Sequence, residues 1–277
     1  MKKIKLSILA IISIALVMSF LPAVTPQVGT YTFHGAPGNI KILKVDIVNN
    51  ASLEDLFGPG WVNIIEIFGP GAAVVGARKK SLVTGVNFSD TLNFFGVWDV
   101  TTYNTSNWDW TTGTISTTPD SVGDIVISFY DPTNLTTFIN TFYTIFPPNL
   151  PLNISMHTAG GFLAQLPTPV AQYLGALVWE PKWGNVGNTV VHNADAFDTA
   201  FSYGFTYLED CTEIWTYDST YGAWIGYQIL DDESNIIYKF SIELEIPGIP
   251  GFELSIFLGI TGITSIGIIY VVMKKKK

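Results

Sequence analysis

Twenty consecutive residues without a charged side chain, Leu254–Met273, run directly into four lysines, Lys274–Lys277. As a helix rising about 1.5 Å per residue, such a run spans roughly 30 Å, the thickness of a bilayer's hydrocarbon core. Helices of that length inside a globular core seldom lack a polar stripe. Thr261, Thr264 and several glycines soften the run without preventing insertion. Lysines beside a span stay cytoplasmic. The expectation is therefore a membrane helix at 254–273, a cytoplasmic basic tail at 274–277, and the preceding chain outside. The other end agrees: Lys2, Lys3 and Lys5 precede an apolar stretch, Leu6–Leu21, and then Pro22-Ala23. That is the layout of a secretory signal peptide over 1–23.

Between these ends the chain is acidic. Residues 24–253 hold seven basic and all 23 acidic side chains, which leaves them at −16. A field of that sign repels polynucleotides, so no nucleic-acid partner is expected. Cys211 is the only cysteine, which excludes an internal disulfide and a thiolate metal cluster. About 230 residues bury enough apolar surface to fold without such staples. Asn-x-Ser/Thr sequons stand at Asn50, Asn87, Asn104, Asn134 and Asn153, glycosylation candidates in an exported chain.

The body, 24–246, reads as β-rich, with a subdomain break placed near 150–165. Gly29–His34 and Ile40–Val48 flank Ala-Pro-Gly and suggest a hairpin. Phe57-Gly-Pro-Gly and Phe68-Gly-Pro-Gly bracket Trp61, Ile64, Ile65 and Phe68, whose spacing is helical. Strands are expected at about 73–86, 93–103 and 124–130, and helices at about 132–145 and 168–179, the second with Thr168 as a candidate cap. Thr212–Tyr217, Ala223–Leu230 and Asn235–Ile246 form the clearest strands. In the last, Tyr238, Phe240 and Ile242 alternate with Lys239, Ser241 and Glu243, the period of a sheet with one wet side. With Phe197–Tyr207 before them they read as a four-stranded meander. The fold class is thus α+β: a curved antiparallel sheet or half-barrel with a few packing helices. Ile246–Glu253 carries two Pro-Gly pairs, and 247–253 reads as a stiff juxtamembrane joint.

Catalytic motifs are absent from the sequence. His34, His157 and His192 are far apart, and no His-Glu-x-x-His, Gly-x-Ser-x-Gly or P-loop pattern occurs. Neither catalytic chemistry nor a cofactor is expected, and each histidine reads as a hydrogen-bonded strand or loop residue. Asp231-Asp232-Glu233 reads as a solvated turn, and Glu209-Asp210 with Glu213 is ambiguous. Aromatic residues stand out instead. Trp108 and Trp110 alternate about Asp109, as if to share one sheet face, and Trp215, Tyr217, Trp224 and Tyr227 fall on neighbouring strands. Such a set packs a core through cross-strand pairs or forms a platform for sugar rings or an apolar ligand.

Pro250-Gly251-Phe252, followed by the span and basic tail, resembles the PGF-type C-terminal sorting signal of archaeal surface proteins. That resemblance implies an archaeosortase-like enzyme that removes the tail and attaches a lipid. The segments Leu166–Leu174, Gly187–His192 and Tyr217–Tyr227 resemble uncharacterised exported proteins of Asgard archaea. The expected topology resembles the half-barrel of LolA-type lipoprotein carriers. The expectation is a membrane-anchored extracellular binding or structural module. A carrier or sensor of a lipid-like apolar ligand is the second reading and an exported hydrolase the third. A carrier predicts a cavity inside the curved sheet, whereas a structural module predicts a filled core.

Overall fold

The computed structural model describes residues 27–28, 31–94, 96–145, 163–179, 181–195 and 206–246. The expected signal, joint, membrane span and tail lie outside these residues, as do His157 and Asn153. No helix among the described residues is long and apolar enough to cross a membrane.

Two short strands, β1 (Gln27–Val28) and β2 (Tyr31–Thr32), pair with each other. The other strands among the described residues form one antiparallel sheet of nine, curled into a half-barrel. In chain order its strands are β3 (Ile40–Val48), β4 (Arg78–Asn93), β5 (Val97–Thr111), β6 (Ser121–Phe129), β7 (Trp183–Val186), β8 (Thr189–Ala194), β9 (Cys211–Tyr217), β10 (Trp224–Leu230) and β11 (Ile236–Ile246). Their spatial order is β6-β5-β4-β3-β11-β10-β9-β8-β7. Two meanders are therefore fused: β3 to β6 forms one wall, β7 to β11 the other, and the long β3–β11 pair is the seam. Strands from both sides of residues 150–165 share this sheet.

Among the described residues, four helices and a 3₁₀ turn pack into the same core as the sheet's inward side chains. Helix α1 (Asn50–Phe57) starts where the Asn49 side chain accepts the Ser52 N–H at 3.3 Å and ends at Gly58, the ordinary signals for both ends. Helix α2 (Trp61–Ile65) continues into the 3₁₀ turn Glu66–Phe68 and buries Trp61, Ile65 and Phe68, as their spacing predicts. Helix α3 (Pro132–Ile145) opens with the Asp131 carboxylate accepting the Thr133 N–H at 2.7 Å. It buries Leu135, Phe138 and Ile139, a one-face pattern. Helix α4 (Val170–Ala176) buries Val170, Tyr173 and Leu174. Since α3 packs on β6 and α4, and α4 packs on β7, this pair spans from one edge of the half-barrel to the other.

Three expectations need correction. Gly29–His34 and Ile40–Val48 do not form a hairpin, because β11 and β4 occupy both edges of β3. The fourth strand of the C-terminal meander is β8, not Phe197–Tyr207: β8 pairs with β9 over six residues, Thr206 and Tyr207 are not strand, and 196–205 lie outside the described residues. The β4–β5 hairpin runs further than expected, to Asn93 and back from Val97. Backbone pairing holds its outer part, so the polar residues there do not interrupt it.

Candidate functional site

The concave face divides into an open region and a sealed one. The open region is a cavity of about 330 Å³ between β3, β4, β5 and β6. Ile40, Lys41 and Leu43 line it from β3; Lys79, Ser81 and Val83 from β4; and Tyr103, Thr105 and Asn107 from β5. Apart from Ile40 at the start of β3, each set shares a face because side chains two apart in a strand point the same way. Phe68, Trp110, Trp224 and Phe240 form an aromatic end wall. A strap over 163–168 closes part of the mouth. Trp224 N–H donates to Ala164 O at 3.2 Å, Leu166 N–H to Gly222 O at 2.8 Å and Thr168 N–H to Thr32 O at 2.8 Å, so the strap is pinned along its length. Gln165 also donates its side-chain amide to the Tyr221 carbonyl. Gly222 lies beneath it at φ +74°, and a Cβ there would stand 1.8 Å from Leu166 O, so only glycine fits. Thr168 does not cap α4, whose N-cap is Pro169. Its hydroxyl instead meets His34 Nε2 at 2.7 Å, inside the cavity wall. Burial lowers the His34 pKa below its ordinary value.

Lys79 is the main charged group of this region. Its ammonium donates to the Phe68 carbonyl at 3.1 Å. Burial pushes its pKa down, while Asp109 and Asp124 push it partly back. Asp124 is exposed at the rim, where Ser121 and Asn107 hydrogen-bond it and hold its pKa below the usual carboxylate value. Lys41 donates to the Trp224 carbonyl at 2.8 Å.

The sealed region lies on the other wall, around Glu213. Along β9, Cys211, Glu213, Trp215 and Tyr217 turn inward, while Thr212, Ile214 and Thr216 do not. An acid thus occupies a core position among apolar neighbours. Glu213 is 0% exposed and directly opposes His192, also 0% exposed, on β8. His192 Nδ1 lies 2.7 Å from Glu213 Oε2; the Tyr207 hydroxyl donates to the same oxygen at 2.7 Å, and the Tyr227 hydroxyl to Oε1 at 2.5 Å. An ionised carboxylate only accepts, so His192 carries its proton on Nδ1 in this arrangement. The indole of Trp183 stacks on the imidazole, with ring centroids 4.1 Å apart at 13°. Burial, and then the Glu213 charge, raise the Tyr227 pKa well above its ordinary value, so the phenol remains a donor. Alone, the carboxylate would be very costly to bury; the three partners offset that cost.

The aromatic residues singled out in the sequence are separated by this geometry. Trp215, Tyr217, Trp224 and Tyr227 are all buried in the core, and of these only Trp224 lines the cavity. Trp108 and Trp110 do not share a face. Pairing shifts between Arg78↔Thr111 and Lys80↔Trp108, a bulge that adds one residue to β5. Trp110 turns inward and donates its indole N–H to Phe68 O at 2.9 Å. Trp108 lies with Lys80, whose ammonium is 4.0 Å from its ring centroid. Lys79 and Lys80 are strand neighbours and point to opposite sides.

Other candidates fall elsewhere. Asn50, Asn87 and Asn104 are exposed and Asn134 is half-buried. Asp231 lies in the β10–β11 turn, where it accepts the Asn235 N–H at 2.7 Å. Among the described residues no group of His, Cys, Asp or Glu is arranged to hold a metal ion. Sequence reasoning missed Glu213 with His192, and Lys79. The first pair carried a signal, since His192 alternates with buried Val190 and Ala194 just as Glu213 alternates with Cys211 and Trp215. No protein-family model, curated protein or solved structure matches this chain.

Proposed function

We propose that this chain is a membrane-anchored protein displayed outside the cell, whose half-barrel holds a small ligand in its concave groove without transforming it. The terminal apolar segments with basic flanks support the anchoring and orientation. The cavity of about 330 Å³ carries the binding part of the reading. A purely structural module would fill that space, and ligand sites typically measure about 300–1,000 Å³. A hydrolase would bring a His–carboxylate pair to its substrate. Here His192 and Glu213 lie outside the cavity lining and are fully buried. The PGF-like segment Pro250, Gly251, Phe252 adds processing by an archaeosortase-like enzyme to the proposal.

Native mass spectrometry of the full-length protein taken from its own membranes tests this reading. The expected result is a bound small molecule released on unfolding, with a polypeptide mass that reports the state of both ends and the glycans. Protein that is ligand-free throughout, together with a body protected from protease added to intact cells, would sink it.

A further inference from the structure

An ammonium has three hydrogens to donate. Lys79 spends one on the Phe68 carbonyl, and among the described residues no carboxylate comes within ion-pair distance of it. Asp109 and Asp124 act on it from further away. Its strand neighbour Lys80 rests on the Trp108 ring, so Lys79 is the one turned toward the cavity. Gly69 lies beside the Lys79 ammonium. A Cβ on Gly69 would stand 3.4 Å from its Nζ and 3.3 Å from Trp110 Cδ1. The register adds a second ammonium: Lys41 opposes Ser81 and Lys79 opposes Leu43, which places the two lysines diagonally on one face. The Lys79 ammonium therefore gains from an anion what the Phe68 carbonyl alone does not supply. The rim selects which anion. Asp109 and Asp124 line the mouth and repel a second negative charge, while Leu43, Phe68, Trp110 and Phe240 offer apolar surface deeper in.

We infer that the groove takes a small organic monoanion, a carboxylate on an apolar, ring-sized body, whose oxygens accept the hydrogens that Lys79 leaves unspent. The inference rests on the groove-binding reading above and adds to it the ligand's charge and shape.

The test uses the full chain in nanodiscs, with empty nanodiscs subtracted, and isothermal titration with three probes. These are 3-phenylpropionate, its uncharged counterpart 3-phenylpropan-1-ol, and acetate. The acid is expected to bind about 10- to 100-fold more tightly than the alcohol, the ratio that one charge-assisted hydrogen bond supplies. Acetate, which has the charge without the body, is expected to bind far more weakly than the acid. Lys79→Met should reduce the acid to the alcohol's affinity, with its folding verified by thermal unfolding and Lys79→Gln as the second variant. Equal affinities for acid and alcohol in the wild type overturn the inference and leave the groove reading intact. So does an acid preference that survives both substitutions. If neither probe binds, the inference fails, and the release of a native ligand on unfolding decides separately whether the groove reading stands.

Discussion

Glu213 and Lys79 both turn into the concave side of one sheet, Glu213 from β9 and Lys79 from β4. The acid receives three donors, from His192, Tyr207 and Tyr227, and is fully buried. The base gives one hydrogen bond to a backbone carbonyl and borders a cavity of about 330 Å³. A charge completed by its own protein strengthens and specifies a wall; a charge left incomplete beside a cavity is a place where something else can complete it. On this comparison the β7–β11 wall completes its own buried charge, and the β3–β6 wall is where we propose that a ligand completes one.

The sharpest way to break the comparison is to remove the completed charge. Glu213→Ala leaves three buried donors without their acceptor and should cost about 3–5 kcal/mol in denaturant unfolding. Glu213→Gln keeps the shape and should cost less. Neither should alter the relative affinity of acid and alcohol in whatever fraction remains folded. A loss of that selectivity would place Glu213 in the ligand site and dissolve the distinction.

Next in size is the strap over the cavity. Gly222→Ala would drive a methyl group into the Leu166 carbonyl, 1.8 Å away, at φ +74°. Overpacking together with the left-handed backbone should cost about 2–4 kcal/mol, read as a fall in thermal midpoint. A neutral result would mean that the strap lifts freely, and the cavity would then lack its closed form.

These effects could not all be foreseen from the chain. Helix α3 was legible to the residue, because Leu135, Phe138 and Ile139 repeat on one face and Asp131 precedes them. The strands β9 to β11 were legible through alternation and short turns. The β3–β11 seam was not, since it pairs residues about two hundred positions apart and local patterning says nothing about partners that distant. Lys79 was hidden within Arg78-Lys79-Lys80, a run that reads as a solvated patch until strand pleating separates its members. The β5 bulge was hidden as well, and it alone puts Trp108 and Trp110 on different faces. The buried acid was legible in principle, by asking which residue breaks the apolar rhythm of Cys211, Trp215 and Tyr217.

Removing the incomplete charge should act in the opposite direction from removing the complete one. Lys79→Met abolishes the cost of holding a desolvated ammonium and should raise stability by on the order of 1 kcal/mol, while ending the preference for an anion. The pH dependence has a definite sign. Burial lowers the folded pKa of Lys79 below 10.5, so between that lowered value and 10.5 the unfolded chain binds more protons. Stability contributed by this group therefore rises with pH across that window. The variant should lack that rise, and a parallel pair of curves would show that Lys79 is solvated after all.

The smallest effect belongs to His34, half-buried against Thr168. Its pKa is lowered from 6.5 by desolvation, so below about pH 6.5 the unfolded chain takes up its proton before the folded one does. Stability should fall as the pH drops through that region, and the fall should be shallower in His34→Gln, which keeps a polar partner for the Thr168 hydroxyl without titrating. The readout is the difference between the two unfolding curves from pH 7.5 to 5, because carboxylates common to both proteins cancel in it. If protonation at His34 also changes ligand binding in that range, the strap and cavity titrate as one unit. If binding is flat while stability falls, His34 supports the strap only, and the ligand site is confined to the Lys79 end of the groove.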